Sequence, residues 1–349
     1  MLSFLFFLSS GLFLGWSLGA NDGANIFGTA VGTKMIKFRT AAIISSVFVI
    51  LGAVIAGSGA SQTLNKLGSI DAIPGAFMAA LAAALTIYLM VKAHISVSTS
   101  QAIVGAIIGW NMYSDRPTDV SLVTTIASTW VFCPILSALF AVVLYHTTKL
   151  LLKMHNVSLI RQDCYTRIGL IVSGAFAAYA LGANNIANVM GVFTSANILR
   201  PLPLPLGLSL NSTQVLFLMG AIAISVGIFT YSRHTMNTVG KNIMQMTPLV
   251  AWIVVVAQSL VLFVFASPAL NNFLTAYNLP APPMVPVSSS QAVIGAIMGI
   301  GLLKGGRNVN WFLLCRVFIG WVATPILSAL ICYISLFVLA NVFTLTVHG

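Results

Sequence analysis

Two near-identical phrases, LGANDGAN (Leu18–Asn25) and LGANNIAN (Leu181–Asn188), stand 163 residues apart, Gly19 to Gly182, each inside a long apolar stretch. Carboxamides and exposed backbone are costly at membrane depth unless they line a site. A chain that carries this feature twice is constrained to a fold in which both halves contribute to one polar centre.

The rest of the chain supplies the membrane. Its 349 residues are 58% hydrophobic and 6% charged, with mean hydropathy +1.00. Soluble domains carry about 25% charged residues. There is no glutamate and there are five aspartates. A net charge of +11 could suggest nucleic acid, but the basic residues are scattered singly through short loops, a topology pattern instead. The apolar N-terminus runs directly into the first motif and reads as a transmembrane helix and not a cleaved signal. Cys133, Cys164, Cys315 and Cys332 have no metal-ligand spacing and read as small apolar fillers.

Segments long enough to span fall at 1–32, 40–57, 72–93, 95–113, 120–148, 167–196, 213–231, 247–267, 285–303 and 311–340. With the N-terminus outside, ten crossings place thirteen of the sixteen Lys and Arg residues on the cytoplasmic side, leaving Lys66, Arg116 and Arg200 outside. The positive-inside asymmetry therefore puts both termini outside.

Two further phrases are duplicated in the same order. VSTSQAIVGAIIG (Val97–Gly109) returns as VSSSQAVIGAIMG (Val287–Gly299), and WVFCPILSALF (Trp130–Phe140) as WVATPILSALI (Trp321–Ile331). Two halves of five crossings each are inverted relative to one another. The expectation is an all-α polytopic membrane protein: a first repeat over 1–148, a cytoplasmic linker over 149–166 and a second repeat over 167–349, with broken or re-entrant helices.

Each motif has a chemistry and a plainer alternative. The glycines of the GAN phrases allow a helix to unwind or to pack closely. Asn21, Asn184 and Asn185 offer neutral oxygens, and Asp22 offers the one carboxylate inside an expected span; such a set suits a hard monovalent cation such as sodium. The alternative is that small residues and asparagines only hold helices together. Asp22 itself is open to three roles: cation ligand, proton-coupling group or structural acid. Its counterpart in the second copy is Asn185, so the half-sites differ by one formal charge.

Ser98, Thr99, Ser100 and Gln101, with Ser288, Ser289, Ser290 and Gln291, open short apolar helices. Hydroxyls and free backbone N–H groups there can hold an oxyanion without arginine, or they can be ordinary helix caps. Asn25 and Asn188 complete the expected substrate shell. Pro134 and Pro325 read as scaffold or hinge. His94, beside the first serine loop, reads as an interfacial hydrogen-bonding residue. No nucleotide-binding loop, nucleophile elbow or HExxH pattern occurs, so the chain is not expected to be an enzyme.

With GANDGANIFGTAVGTK (Gly19–Lys34), SVSTSQAIVGAIIG (Ser96–Gly109), GANNIANVMG (Gly182–Gly191) and PVSSSQAVIGAIMG (Pro286–Gly299), the chain resembles the PiT family of inorganic phosphate transporters. The basic segment RHTMNTVGKNIMQMTP (Arg233–Pro248) is also similar to that family's. The resemblance implies symport of inorganic phosphate with Na+ or H+, no cofactor, no nucleic-acid partner, and a cell-membrane location. The chain departs from the family pattern at Asn185, where an aspartate is common, at Gln101 and Gln291, where a histidine is common, and in having no glutamate. The expected assignment is Na+ at Asn21, Asp22, Asn184 and Asn185, and the oxyanion among Asn25, Asn188 and the two serine loops. A homodimer is compatible with this reading. A sulfate permease of the same architecture and a passive anion channel are the rival functions.

Overall fold

Long apolar runs without internal glycine–proline clusters leave the backbone no water to bond, so they fold as helices. A computed structural model describes the chain except residues 1, 69, 94, 96, 156, 197–198, 204, 206–208, 234–235, 237–245, 307–308 and 349. His94, Ser96 and most of the basic 233–248 segment thus lie outside the described residues. Twelve α-helices are present among the rest: α1 (Leu2–Gly32), α2 (Phe38–Ala56), α3 (Ser58–Leu67), α4 (Ile73–Lys92), α5 (Thr99–Tyr113), α6 (Val120–Met154), α7 (Leu159–Met190), α8 (Ser212–Thr230), α9 (Pro248–Ala266), α10 (Pro268–Ala276), α11 (Ser289–Leu303) and α12 (Trp311–Val342). A two-stranded antiparallel hairpin, Leu202–Pro203 with Ser209–Leu210, lies between α7 and α8.

Eight of these helices (α1, α2, α4, α6, α7, α8, α9 and α12) are long and apolar enough to cross a membrane. The two remaining expected spans, 95–113 and 285–303, are not among them. Each has a non-helical arm that leads to a helix of 15 residues, α5 or α11, about 22 Å long against an apolar layer of about 30 Å. The breaks therefore fall at the serine loops and not at the GAN phrases, where α1 and α7 continue as unbroken helices. The helices begin at Thr99 and Ser289, and α6 and α7 extend to Met154 and from Leu159 through most of the 149–166 stretch.

The glycines of the GAN phrases serve close packing. A Cβ on Gly19 would overlap the carbonyl oxygen of Ile224 in α8, and one on Gly182 would overlap that of Val49 in α2. Gly105 and Gly295 repeat the arrangement, seated against the backbone of Pro325 and Pro134 respectively. In lipid no hydrophobic force separates helix contacts from acyl-chain contacts, so association relies on such small-residue approaches. The prolines leave α6 and α12 helical, and their backbone forms the walls on which α11 and α5 rest.

These pairings exchange partners between the halves. α1 packs on α8, α4 and α7; α7 packs on α2, α9 and α1; α5 packs on α12, and α11 on α6. Each lobe of the molecule thus contains helices from both ends of the chain, and α1 meets α7 at the centre.

Candidate functional site

An arm that enters the membrane interior in extended form must have its peptide groups bonded by something other than water. The GAN asparagines perform this for both arms. The Asn21 amide donates to the carbonyl of Val97 at 3.4 Å. In the other lobe the Asn184 amide donates to the Val287 carbonyl at 2.7 Å, and the Val287 N–H donates to Asn184 Oδ1 at 3.0 Å. At the end of each arm a serine caps the next helix: Ser98 Oγ accepts from the Gln101 N–H, and Ser288 Oγ from the Gln291 N–H. The capping and site-forming alternatives for the serines are therefore compatible. Ser98 and Ser288 cap, while Thr99, Ser100, Ser289 and Ser290 occupy the first turns, where backbone N–H groups have no intrahelical partner.

One hydrogen-bond network joins the copies. Asp22 Oδ1 accepts from the Asn21 amide at 2.9 Å and from the Asn25 amide at 3.3 Å, and the Ser290 hydroxyl is 3.4 Å away. The Asn25 amide also lies 3.3 Å from Ser289 Oγ and 3.4 Å from Ser290 Oγ. Ser290 donates to the Val97 carbonyl at 2.9 Å, which ties the start of α11 to the arm before α5. On α7, Asn185 Oδ1 accepts from Asn184 and Asn188 at 3.0 Å each. The hydroxyls of Ser98 and Ser100 are 2.9 Å apart.

All fourteen site residues named from the sequence are buried, none more than 8% exposed; twelve lie in helices, and Ser98 and Ser288 end the non-helical arms. Asn21, Asp22 and Asn25 share the network with Ser289 and Ser290; Asn184, Asn185 and Asn188 form their own cluster on α7, fastened to Val287 on the same arm. Among the described residues, Asn185 Nδ2, Asn188 Oδ1, Gln101 Oε1 and Gln291 Oε1 are buried without a hydrogen-bond partner. Unsatisfied buried polar atoms are expensive, and these four, of fourteen among the described residues, lie in the first turns of α5 and α11 and in the second GAN phrase on α7.

The electrostatics are spare. Asp22 is the one aspartate in the interior; Asp71 pairs with Arg116, Asp163 with Arg167, Asp119 caps α6 and Asp115 is in the loop before it. Among the described residues no lysine or arginine belongs to the network. Two helix N-termini supply partial positive charge instead. Among the described residues there is also no cluster of His, Cys, Asp and Glu that could hold a transition metal. A cavity of about 200 Å³ between α1, α4 and the end of α8 reaches Asn21 and is also lined by Tyr88, Lys92 and Tyr231.

One residue of the site was not singled out from sequence. Gln258, in α9, is 1% exposed, donates its amide to the backbone carbonyl of Asn25 and leaves Oε1 unpartnered. Its signal was available: it is the one carboxamide in the most apolar of the eight spans.

The multi-helix membrane fold, together with the family to which the chain belongs, points to a permease rather than an enzyme. The chain belongs to the phosphate transporter family, which it matches over residues 18–332 and again over 283–346. It is 28% identical over 317 residues to the protein named "Putative phosphate permease" of Methanocaldococcus jannaschii, covering 91% of each chain. It is also 28% identical to sulfate permease CysP of Bacillus subtilis, covering 96% of this chain and 88% of that one. In fold it resembles the solved structure of "The sodium-dependent phosphate transporter", with TM-score 0.74 and 22% identity over 97% of this chain and all of the other.

Proposed function

We propose that this protein imports inorganic phosphate by symport with Na+, through alternating access around the α1–α7 centre. The observation that carries the reading is the placement of Asp22. A buried carboxylate held by neutral amides and hydroxyls, with no basic partner among the described residues, is costly as an anion unless a cation joins it. The same hydroxyls and the starts of α5 and α11 suit a tetrahedral oxyanion. A cation beside Asp22 lowers the cost of bringing that anion close, which is the thermodynamic content of coupling.

In this reading Asn21, Asp22, Asn184 and Asn185 form the cation side, with Asn184 acting through its hold on Val287. Asn25, Asn188, Ser98, Thr99, Ser100, Gln101, Ser288, Ser289, Ser290 and Gln291 surround the phosphate. Residues 1–148 and 167–349 are inverted repeats joined on the cytoplasmic side through 149–166, with both termini outside. The reciprocal contacts of Gly19 with Ile224 and Gly182 with Val49 support that relation. The membrane is the cell membrane and the cargo is Na+ and phosphate; H+ replaces Na+ if Asp22 titrates during the cycle.

Sulfate is the second reading, favoured by the B. subtilis sulfate permease being as similar in identity as the archaeal relative. Proteoliposome uptake of labelled phosphate separates the readings, with an imposed Na+ or H+ gradient and excess unlabelled sulfate in parallel. Na+-driven accumulation that resists sulfate is expected. Accumulation driven by H+ alone makes Asp22 a proton carrier, inhibition by sulfate makes the substrate sulfate, and flux without any gradient dependence makes the protein a channel.

A further inference from the structure

We propose that the cleft between the ends of α6, α7 and α9 is a binding site for an anionic phospholipid. The 35 residues of α6 extend about 52 Å, beyond an apolar layer of about 30 Å and its headgroup zones of about 40–45 Å in all. The end of α6 and the start of α7 must therefore stand at headgroup level. Yet this hairpin exposes Leu150, Met154, Leu159 and Ile160, the last two to 84% and 86%. Apolar residues so exposed are stable at a membrane boundary and not in open water.

Between these helices and the first turn of α9 lies a cavity of about 650 Å³. Leu151, Leu152 and Trp252 give it an apolar wall; His155, Arg161 and Gln162 give it a polar one. Lys149 and Lys153 stand nearby on α6, and among the described residues neither they nor Arg161 pair with a carboxylate, since Asp163 is engaged by Arg167. A free oxyanion would use the basic wall alone. A lipid phosphate with the upper part of its acyl chains uses both, and a cavity of this size suits it. In the topology proposed above, the hairpin belongs to the cytoplasmic side, which takes thirteen of the sixteen Lys and Arg residues and where anionic lipid is attracted by juxtamembrane cations.

The test is native mass spectrometry of the purified full-length protein with added phosphatidylglycerol or phosphatidylcholine. Retention of phosphatidylglycerol at least about fivefold above phosphatidylcholine is expected, with a matching loss in Arg161→Gln and a larger one in Arg161→Gln/Lys153→Gln. Equal retention of the two lipids by the unsubstituted protein overturns the proposal without recourse to any variant. Displacement of the lipid by excess inorganic phosphate also overturns it and assigns the cleft to the free ion. Unchanged lipid retention in both variants, with melting temperatures preserved, overturns the role given to the basic wall and the proposal with it.

Discussion

The two GAN helices have the same architecture and different chemistry. α1 and α7 each run unbroken through the motif, each seats a glycine against the backbone of the other half's second helix, and each uses an asparagine to bond an extended arm. What differs is Asp22 against Asn185, and what each is bonded to. Asp22 reaches across to Ser290 on α11, whereas Asn185 bonds within α7 and keeps an amide unpartnered. Packing is thus duplicated where geometry demands it, and the charge is placed once. A centre built this way has matched packing in its two GAN helices and a formal negative charge on α1 alone.

The largest expected effect comes from erasing that difference. Asp22→Asn makes the half-sites alike and removes the one buried charge. Na+-driven accumulation should fall by about a hundredfold, corresponding to about 3 kcal/mol of lost cation affinity, while the folded protein remains. Labelled phosphate uptake across a range of Na+ concentrations measures it. Uptake that keeps its rate and its Na+ dependence would show that the single charge does not set the comparison.

The arms provide the next contrast, and here the second copy is the more sensitive. Asn184→Ala strips both the N–H and the carbonyl of Val287 of their partner, a cost of about 2–3 kcal/mol at this depth. Asn21→Ala leaves the Val97 carbonyl still bonded by Ser290, so with both variants made in the Asp22→Asn background, which sets aside the bond from Asn21 to the Asp22 carboxylate, its cost should stay near or below about 1 kcal/mol. Thermal unfolding in detergent orders the pair. An Asn21 variant as unstable as the Asn184 variant would remove the asymmetry inferred for the arms.

The glycine contacts test the shared part of the architecture. Gly19→Ala and Gly182→Ala each press a methyl group into a backbone carbonyl that cannot rotate away. Comparable losses of about 1–3 kcal/mol are expected from both, read as matched drops in melting temperature. A large loss from one and none from the other would mean that the two lobes are not built alike.

Much of this arrangement was legible because it is written twice. Apolar length identified the spans, the GAN phrases, serine loops and WVxxPILSAL segments paired the halves, and the fourteen residues drawn from the first two kinds of phrase are all buried. Both members of the Gly105–Pro325 and Gly295–Pro134 contacts also lie in duplicated phrases, but periodicity does not say which helix a helix packs against. That α5 sits on α12 and α11 on α6, exchanging partners between the halves, follows only from three-dimensional packing. The location of the breaks was open for a related reason. Glycine permits both unwinding and close approach, and the opposing carbonyls of Ile224 and Val49 decide for approach. Features that occur once left the weakest trace: the short α10, the Leu202–Leu210 hairpin and Gln258 have no second copy to draw attention to them.

Gln258 extends the comparison beyond the GAN helices. α9 packs on α7 and also reaches α1, where Gln258 donates to the Asn25 carbonyl. α4 takes the corresponding place beside α1 in the other lobe, and its sequence, IPGAFMAALAAALTIYLMVK, holds no carboxamide. The α1 helix that reaches Ser290 through Asp22 therefore receives a second contact from across the molecule, from Gln258, and α4 has no carboxamide to offer α7 in return. Asn25 lies within α1, so its carbonyl is also placed to accept the ordinary helix bond. Replacing Gln258 by leucine then leaves that carbonyl satisfied and removes the unpartnered Oε1 as well, and stability should change by less than about 1 kcal/mol. Transport should respond more than stability does, because the Asn25 side chain is the bridge from Asp22 to Ser289 and Ser290. A rise in phosphate KM of about fivefold at nearly unchanged maximal rate is expected, equivalent to about 1 kcal/mol of positioning. Gln258→Leu with wild-type KM and an intact melting temperature would confine the asymmetry of the site to Asp22 alone.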